Sequence, residues 1–524
     1  MKKYHMFLIA CVFASFFIVF LIAYPTETDK KTIKTPGSSI GEESLQTNLT
    51  EKFNENYEYH DYDLEYRLLD DLERINSPYI REVNLPNSTW PLGITVDHDG
   101  IVWIGGTKSN TLLGYDSNSM KMIYLIPLNS SDSIPQNGTT NQETIWSIVE
   151  DKDGLIWISQ TGQNPLWVFD KHSGKLEVKR DVTSAAVQME VDQDSGNIWF
   201  TDTDQDIVGV IQKTDADTYS VHEFNLGQDS SPFGLYLSSD KIWITETANH
   251  KILSFDKTEH GLISNTKYFE ITPLNQTVFY YPSDLLVLDN KLWFTEHLTN
   301  YFLEYDLDSD SFIRYPTSIN PRHYGTLPFW MINDKHGTGF WFIEHFGNRI
   351  AFFDTTNKIL TEYEIPSRDP QWNYISNAVG ASPDPTNADQ LWFSELYLDK
   401  IGVVDKSIPV PFEISITSGN LNIDKKNMNH VNIPFTVNIL ASDTPIRNNE
   451  IFLKKSSSIV ASAGFGNMTA TIEPDHFTVH GLDSFEGTLV LDEIQNVKSG
   501  NYTMAISATD GTVTKTDYVF MNID

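Results

Sequence analysis

Seven tryptophans, Trp103, Trp157, Trp199, Trp243, Trp293, Trp341 and Trp392, recur at spacings of 54, 42, 44, 50, 48 and 51 residues, and no other feature constrains the fold as much. Each sits in a unit with an opening strand, often Pro-x-Gly-Ile, then an acidic turn and an apolar-Trp-aromatic strand. A strand ending near Asp and a final strand follow. Lys241-Ile-Trp-Ile-Thr-Glu and Lys251-Ile-Leu-Ser-Phe-Asp show the middle pair. A four-stranded unit of this length cannot bury its apolar faces alone, so copies must pack against one another, as in a β-propeller. Seven tryptophans predict seven blades over residues 78–408.

The seventh unit lacks an outer strand after Lys400-Ile-Gly-Val-Val-Asp, whereas Tyr79-Ile-Arg-Glu-Val-Asn-Leu-Pro precedes the first and matches outer strands such as Leu360-Thr-Glu-Tyr-Glu-Ile-Pro. The N-terminal segment is therefore expected to complete the last blade and pair an open edge. Beyond Pro409 the tryptophans stop. Segments such as Phe412-Glu-Ile-Ser-Ile-Thr and Val431-Asn-Ile-Pro-Phe-Thr-Val-Asn-Ile alternate with period two. Residues 409–524 read as an immunoglobulin-like β-sandwich without its cystine, a spacer or adhesion module.

At the other end, Lys2 and Lys3 precede an uncharged apolar run from Met6 to Tyr24, long enough to span a bilayer as a helix. Residues 1–24 read as a single-pass transmembrane anchor, 25–77 as a polar stalk, and the body as extracytoplasmic. Sequons at Asn48, Asn87, Asn129, Asn137, Asn275, Asn467 and Asn501 are compatible with that placement. The 71 acidic against 37 basic residues, a net charge of -34, exclude a phosphate-backbone surface and hence nucleic acid. A single Cys excludes a disulfide framework, a Cys-based zinc site and an iron–sulfur cluster.

Because adjacent strands are antiparallel, the start of the first strand and the end of the second lie at one face of the propeller. Two positions per blade are therefore expected to ring that mouth. The first is the x of the opening strand: Leu92, Trp146, Val187, Phe233, Ser283, Phe329 and Asn377. The second lies three residues after each Trp: Gly106, Gln160, Asp202, Glu246, Glu296, Glu344 and Glu395. The long connections between blades open on the same face and carry aromatics. An acidic arc under an aromatic rim suits a ligand, so Trp146, Tyr281, Phe329, Trp330, Trp372 and Arg349 are the candidate ligand-binding residues. The ligand would be a small molecule, a surface protein or a glycan. Glu246, Glu296, Glu344 and Glu395 are candidate ligands for a Mg2+ or Ca2+ ion, whose coordination is by oxygen. Structural bonding between blades is the competing reading of each. His297 and His345 follow two of these glutamates, and His can act as a base near neutral pH.

Units such as Ser231-Pro-Phe-Gly-Leu, Ile242-Trp-Ile-Thr-Glu, Leu391-Trp-Phe-Ser-Glu and Asp399-Lys-Ile-Gly-Val-Val resemble the repeats of virginiamycin B (streptogramin) lyases, within the wider gluconolactonase/regucalcin-like and NHL-type propellers. The resemblance covers about residues 78–408. It implies a metal-dependent elimination that opens cyclic depsipeptides, in which a base takes a Cα proton while Mg2+ steadies the enolate-like charge. The lyases place His in the opening strands of the last two blades and Glu after the final Trp-Phe. Glu395 fits the Glu, but Phe329 and Asn377 stand at the two His positions and no opening strand carries His at x. His323 or His345 are the candidate replacements. Two readings follow: a membrane-anchored propeller that binds a ligand or partner on its mouth, or a metal-dependent lyase or lactone hydrolase with Glu395, His345 and His323 as catalytic residues.

Overall fold

The computed structural model describes residues 75–524 apart from 129–143, 161–165, 180–185, 216–217, 258–262, 271–280, 298, 320–325, 370–374 and 458–468. The expected anchor and nearly all of the stalk lie outside the described residues. Among the described residues no helix is long and apolar enough to cross a membrane. The described chain is all-β, with helical structure limited to 3-10 turns such as Leu396–Leu398.

Seven antiparallel four-stranded blades follow one another along the chain. Their innermost strands are Pro91–Val96, Ile145–Glu150, Gln188–Val191, Pro232–Leu237, Pro282–Leu288, Pro328–Asn333 and Ala378–Pro383. Each packs against the next, and the last against the first, so the ring closes. The seventh blade takes its outer strand, Ile80–Asn84, from before the first blade, paired antiparallel with Lys400–Asp405 so that Ile80 faces Val404.

The repeated Trp explains the ring. Trp103 packs on Ile148, Ile156 and Ile158 of the second blade, Trp157 on Met189 and Phe200 of the third, and Trp243 on Leu285 and Phe294 of the fifth. Trp392 closes the circle against Ile94, Val102 and Ile104 of the first. All seven are 4% exposed or less. Each indole buries on the order of 200 Å², or about 5 kcal/mol of transfer free energy, so blade stacking is strongly favoured. The acidic turn of the repeat clasps the ring: Trp103, Trp157 and Trp392 donate Nε1–H to Asp97, Asp151 and Asp384 at 2.9, 2.7 and 3.1 Å. The second carboxylate oxygen of Asp97 accepts the turn amide of Ile101 at 2.8 Å. The opening glycines let neighbouring inner strands touch: a Cβ on Gly380 would stand 2.3 Å from the Leu92 carbonyl oxygen, and one on Gly234 2.8 Å from that of Ser283.

The C-terminal residues form a two-sheet β unit. One sheet runs in the order Phe412–Ile416, His430–Ile439, Ser484–Asp492, Thr469–Glu473. The second departs from the expected separate module, because its strand Val513–Ile523 pairs with the outer strand of blade six, Ile359–Glu364, with Leu360 opposite Thr516 and Tyr363 opposite Val513. Blade six and this sheet thus form one nine-stranded sheet. Side chains weld the joint. Tyr518 donates its hydroxyl to the Pro316 carbonyl at 3.0 Å, and Ser456 Oγ donates to the Thr317 carbonyl at 2.8 Å. The apolar core runs without a break from Trp341, Ile343 and Tyr363 into Ile433, Ile506 and Val519. An edge strand that natural sheets must otherwise protect is covered here by the chain's own C-terminus.

Two outcomes follow. Trp392→Ala removes the contact between the last and first blades and is expected to cost about 3–5 kcal/mol, read by urea unfolding. A chain ended at Ile408 uncovers the blade-six edge and should melt lower and self-associate, checked by calorimetry and gel filtration.

Candidate functional site

Six of the seven opening strands carry a β-bulge at the mouth, with register shifts such as Pro91/Ile94, Pro232/Leu235, Phe329/Ile332 and Ala378/Ala381. A bulge re-aims one side chain, and here x turns toward the axis. Leu92, Trp146, Val187, Phe233, Phe329 and Val379 meet there as one apolar cluster. Trp146 of blade two meets Phe233 of blade four edge-on at 5.9 Å, and Phe233 meets Phe329 of blade six at 5.3 Å. These blades are not neighbours, so the contacts cross the axis and the rings plug the channel at this face.

The seventh x is Val379, a correction to Asn377. Ala378 pairs with Glu395 as Pro328 pairs with Glu344, which places Asn377 one residue before the strand. Asn377 has a left-handed backbone, φ 54°, like Leu327, Ser231 and Trp90 at the equivalent place in other blades. Gly380 was the signal in the sequence that could have set this register.

Deeper in the channel, polar side chains of one inner strand accept amides of the next. Ser147 accepts Met189 N–H at 3.0 Å, Gln188 accepts Leu235 N–H at 2.9 Å, and Asp284 accepts Met331 N–H at 2.9 Å. Burial lifts the Asp284 carboxyl to about 7.

The four glutamates lie at one end of the ring, each closing a second strand opposite the start of an inner strand. They do not converge. Glu296 turns outward and takes a bidentate bond from Arg314 of the outer strand, at 3.0 and 2.9 Å, with both groups buried. Glu344 joins a buried cluster. Arg349 Nη1 stands 3.7 Å from Glu344 and 3.2 Å from Glu362, and its Nε donates to Glu364 at 2.7 Å. Arg368 donates to the other Glu364 oxygen at 2.8 Å. Three carboxylates against two guanidiniums leave one negative charge too many for a dry site. Burial first, and Glu362 second, push the Glu344 carboxyl well above its usual range, which lessens that excess of charge. Glu246 is buried beside Asn249, and burial raises its carboxyl as well. Glu395 is fully buried opposite Lys400.

Among the described residues no three His, Cys, Asp or Glu side chains come together in a way that could hold an ion. A Mg2+ or Ca2+ shell needs six or more oxygens, so the residues present do not fit that ion. The expected ligand-binding set divides in the same way. Trp146 and Phe329 are in the plug, and Tyr281 is buried with its ring 5.8 Å from that of His250. Trp330 donates Nε1–H to the Ala381 carbonyl at 3.2 Å, between blades six and seven. Arg349 is inside the ion cluster and not at the mouth. Trp372 and His323 lie outside the described residues.

His297 and His345 do reach the plug, from the turns that follow the strands Lys291–Glu296 and Gly339–Glu344. Their rings lie 4.9 and 4.7 Å from Phe329 and 5.2 Å from each other. Burial holds His297 down at about 4. Burial, with His297 second, holds His345 well below its usual value, beside Asn377 and Ala378. Asn377 and His345 come from different blades, so no local pattern points to their standing side by side.

A closed ring of seven four-stranded blades, its axis plugged by the opening-strand residues, defines this molecule as a β-propeller. The model of the virginiamycin B lyase family matches residues 135–415, more than half of the chain, and the chain belongs to that family. Among solved structures it is similar to virginiamycin B lyase from Staphylococcus aureus, at 24% identity over 62% of this chain and 98% of that one, with a TM-score of 0.48. A streptogramin B lyase matches at 22% identity, over 62% and 97%, also at 0.48. The extracellular domain of a putative hybrid two component system from B. thetaiotaomicron matches at 13% identity, over 85% of this chain and 57% of that one, at 0.48. No curated protein matches the sequence.

The buried groups set opposite pH dependences. The depressed His297 stabilises the fold fully above about pH 6.5, and that contribution is lost as pH falls toward about 4. The raised Asp284 stabilises fully below about pH 4, and that contribution is lost as pH rises toward about 7. Urea unfolding should therefore show the advantage of wild type over His297→Phe growing by about 3 kcal/mol from pH 4 to 6.5, and its advantage over Asp284→Asn shrinking over the same range.

Proposed function

We propose that this protein is a membrane-anchored, extracytoplasmic member of its family that binds a ligand or partner through the mouth face and does not carry out the family's elimination. The observation that carries this reading is the plug: the two opening positions where the lyases hold His are Phe329 and Val379, packed among other apolar side chains. A base there would need an exposed, hydrogen-bonded imidazole within reach of a substrate proton. The bidentate bond from Arg314 to Glu296 supports the same reading, since a carboxylate satisfied in that way is not available to a metal. Anchoring rests on the apolar run Met6–Tyr24, and we read the C-terminal two-sheet unit as immunoglobulin-like.

The competing reading, a metal-dependent lyase or lactone hydrolase, draws on family membership and on Glu395, the one residue at a matching place. It would have to use His345 or His323 as its base. The two separate on one assay: the full chain is incubated with quinupristin, the compound named with an inactive virginiamycin B lyase from Staphylococcus aureus, at millimolar Mg2+. Ring opening is followed by mass spectrometry. No opening above the buffer rate is expected, and Mg2+-dependent opening abolished in Glu395→Gln would overturn the proposal.

A further inference from the structure

The connection from blade five to blade six leaves the propeller at the mouth, since Pro316 pairs with Tyr301, and Tyr301 with Glu296. Pro316 ends the outer strand, and Thr317, Ser318 and Ile319 follow it outside any strand. Pro316, Thr317 and Ser318 are nonetheless buried. A buried main-chain carbonyl must find a donor, because no water reaches it.

Here four successive carbonyls each take a donor from a side chain. Tyr518 donates its hydroxyl to Pro316 at 3.0 Å, Ser456 Oγ donates to Thr317 at 2.8 Å, and Lys454 Nζ donates to Ile319 at 3.4 Å. Arg349 Nη1 donates to Ser318 at 3.2 Å, and Glu362 accepts the Ser318 amide at 2.8 Å. Three of the four donors therefore come from the C-terminal unit, and all three are buried.

The contacts continue as far as the plug. Thr317 Oγ1 meets Thr326 Oγ1 at 2.6 Å, and the Thr326 carbonyl accepts Phe346 N–H at 3.1 Å. Leu327 N–H donates to the Thr299 carbonyl at 3.1 Å, and its side chain packs with Phe346 and Ile375. Two residues further on, Phe329 stands in the plug with its ring 4.7 Å from that of His345.

We infer that the C-terminal unit is a clamp on the mouth, in which Tyr518, Ser456 and Lys454 are positioning residues for the blade-six side of the plug. Loop carbonyls left to water allow many arrangements, whereas carbonyls held one after another by buried side chains allow few. A molecule seated on the rim of blades five and six would bind the clamped form more tightly and, by linkage, strengthen the hold of the C-terminal unit. The effect on a ligand rests on the mouth-binding reading above. The clamp itself needs no ligand, so each can fail alone.

The test is hydrogen exchange of the full chain, resolved to single amides by fragmentation mass spectrometry, in wild type, Ser456→Ala and Tyr518→Phe. Exchange at Leu327 and Phe346 is expected to be at least tenfold faster in both variants. It should be unchanged at Leu128, whose amide bonds Asn110 at the mouth of blade one as that of Thr317 bonds Asn300 in blade five. Tyr502→Phe, which removes a hydroxyl bond to Lys498 inside the C-terminal unit, should leave all three amides as they are. If Ser456→Ala or Tyr518→Phe fails to fold, Lys454→Met, which keeps the buried stem and removes only the ammonium, gives the same comparison. Unchanged exchange at Leu327 and Phe346, equal acceleration at Leu128, or the same acceleration in Tyr502→Phe would overturn the inference.

Discussion

Everything in this molecule depends on one contact made seven times: the indole of one blade lying on the sheet of the next. A four-stranded blade is too small to hold a core of its own, and the Trp is the side chain large enough to bridge the wedge-shaped gap between twisted sheets. Because Trp392 performs this contact against the first blade, the arrangement closes only as a ring. The strand Ile80–Asn84 then couples closure to chain order, since the last blade is complete only when the segment before the first blade has returned to it. In blades one, two and seven the acidic turn serves the same contact by accepting the indole N–H.

Closing the ring places seven opening strands around an axis, and what stands on them decides what the mouth can do. The bulge in six of these strands turns the x side chain inward. With Trp146, Phe233 and Phe329 at that position the axis fills with rings. Glu296 and Glu344 turn away from that space, because the arginines beside them, Arg314 and Arg349, lie on the outer side, on the fourth and third strands. Burial makes pairing obligatory: an isolated carboxylate there would be costly, so it finds a guanidinium or keeps a proton. Within a family of lyases, this chain holds the scaffold while the positions that would carry a base hold Phe329 and Val379.

The C-terminal unit shows how far a local reading can mislead about organisation. Its alternating strands were legible, but not the destination of the last one. Val513–Ile523 reads as an ordinary sandwich strand, yet one of its edges belongs to blade six. Edge pairing leaves little trace in side-chain pattern, because main-chain groups make the bonds. The buried cluster of Glu344, Glu362, Glu364, Arg349 and Arg368 was hidden for a related reason. Only Glu344 and Arg349 stood out by their place in the repeat, and the others join them through folding of the outer strand and the following loop.

The sequence by itself determined the repeat, the blade count implied by seven tryptophans, the strand that closes the ring and the family likeness, because each is written in hydrophobic period and turn chemistry that act locally. Only the tertiary structure decided where side chains point: that Val379 rather than Asn377 enters the axis, that Glu296 and Glu344 lie beside arginines, and that His297 and His345 meet. Orientation depends on bulges, on cross-strand register and on which charges lie within a few ångströms once water has been expelled. Those distances are between residues remote in the chain, and no single segment encodes them.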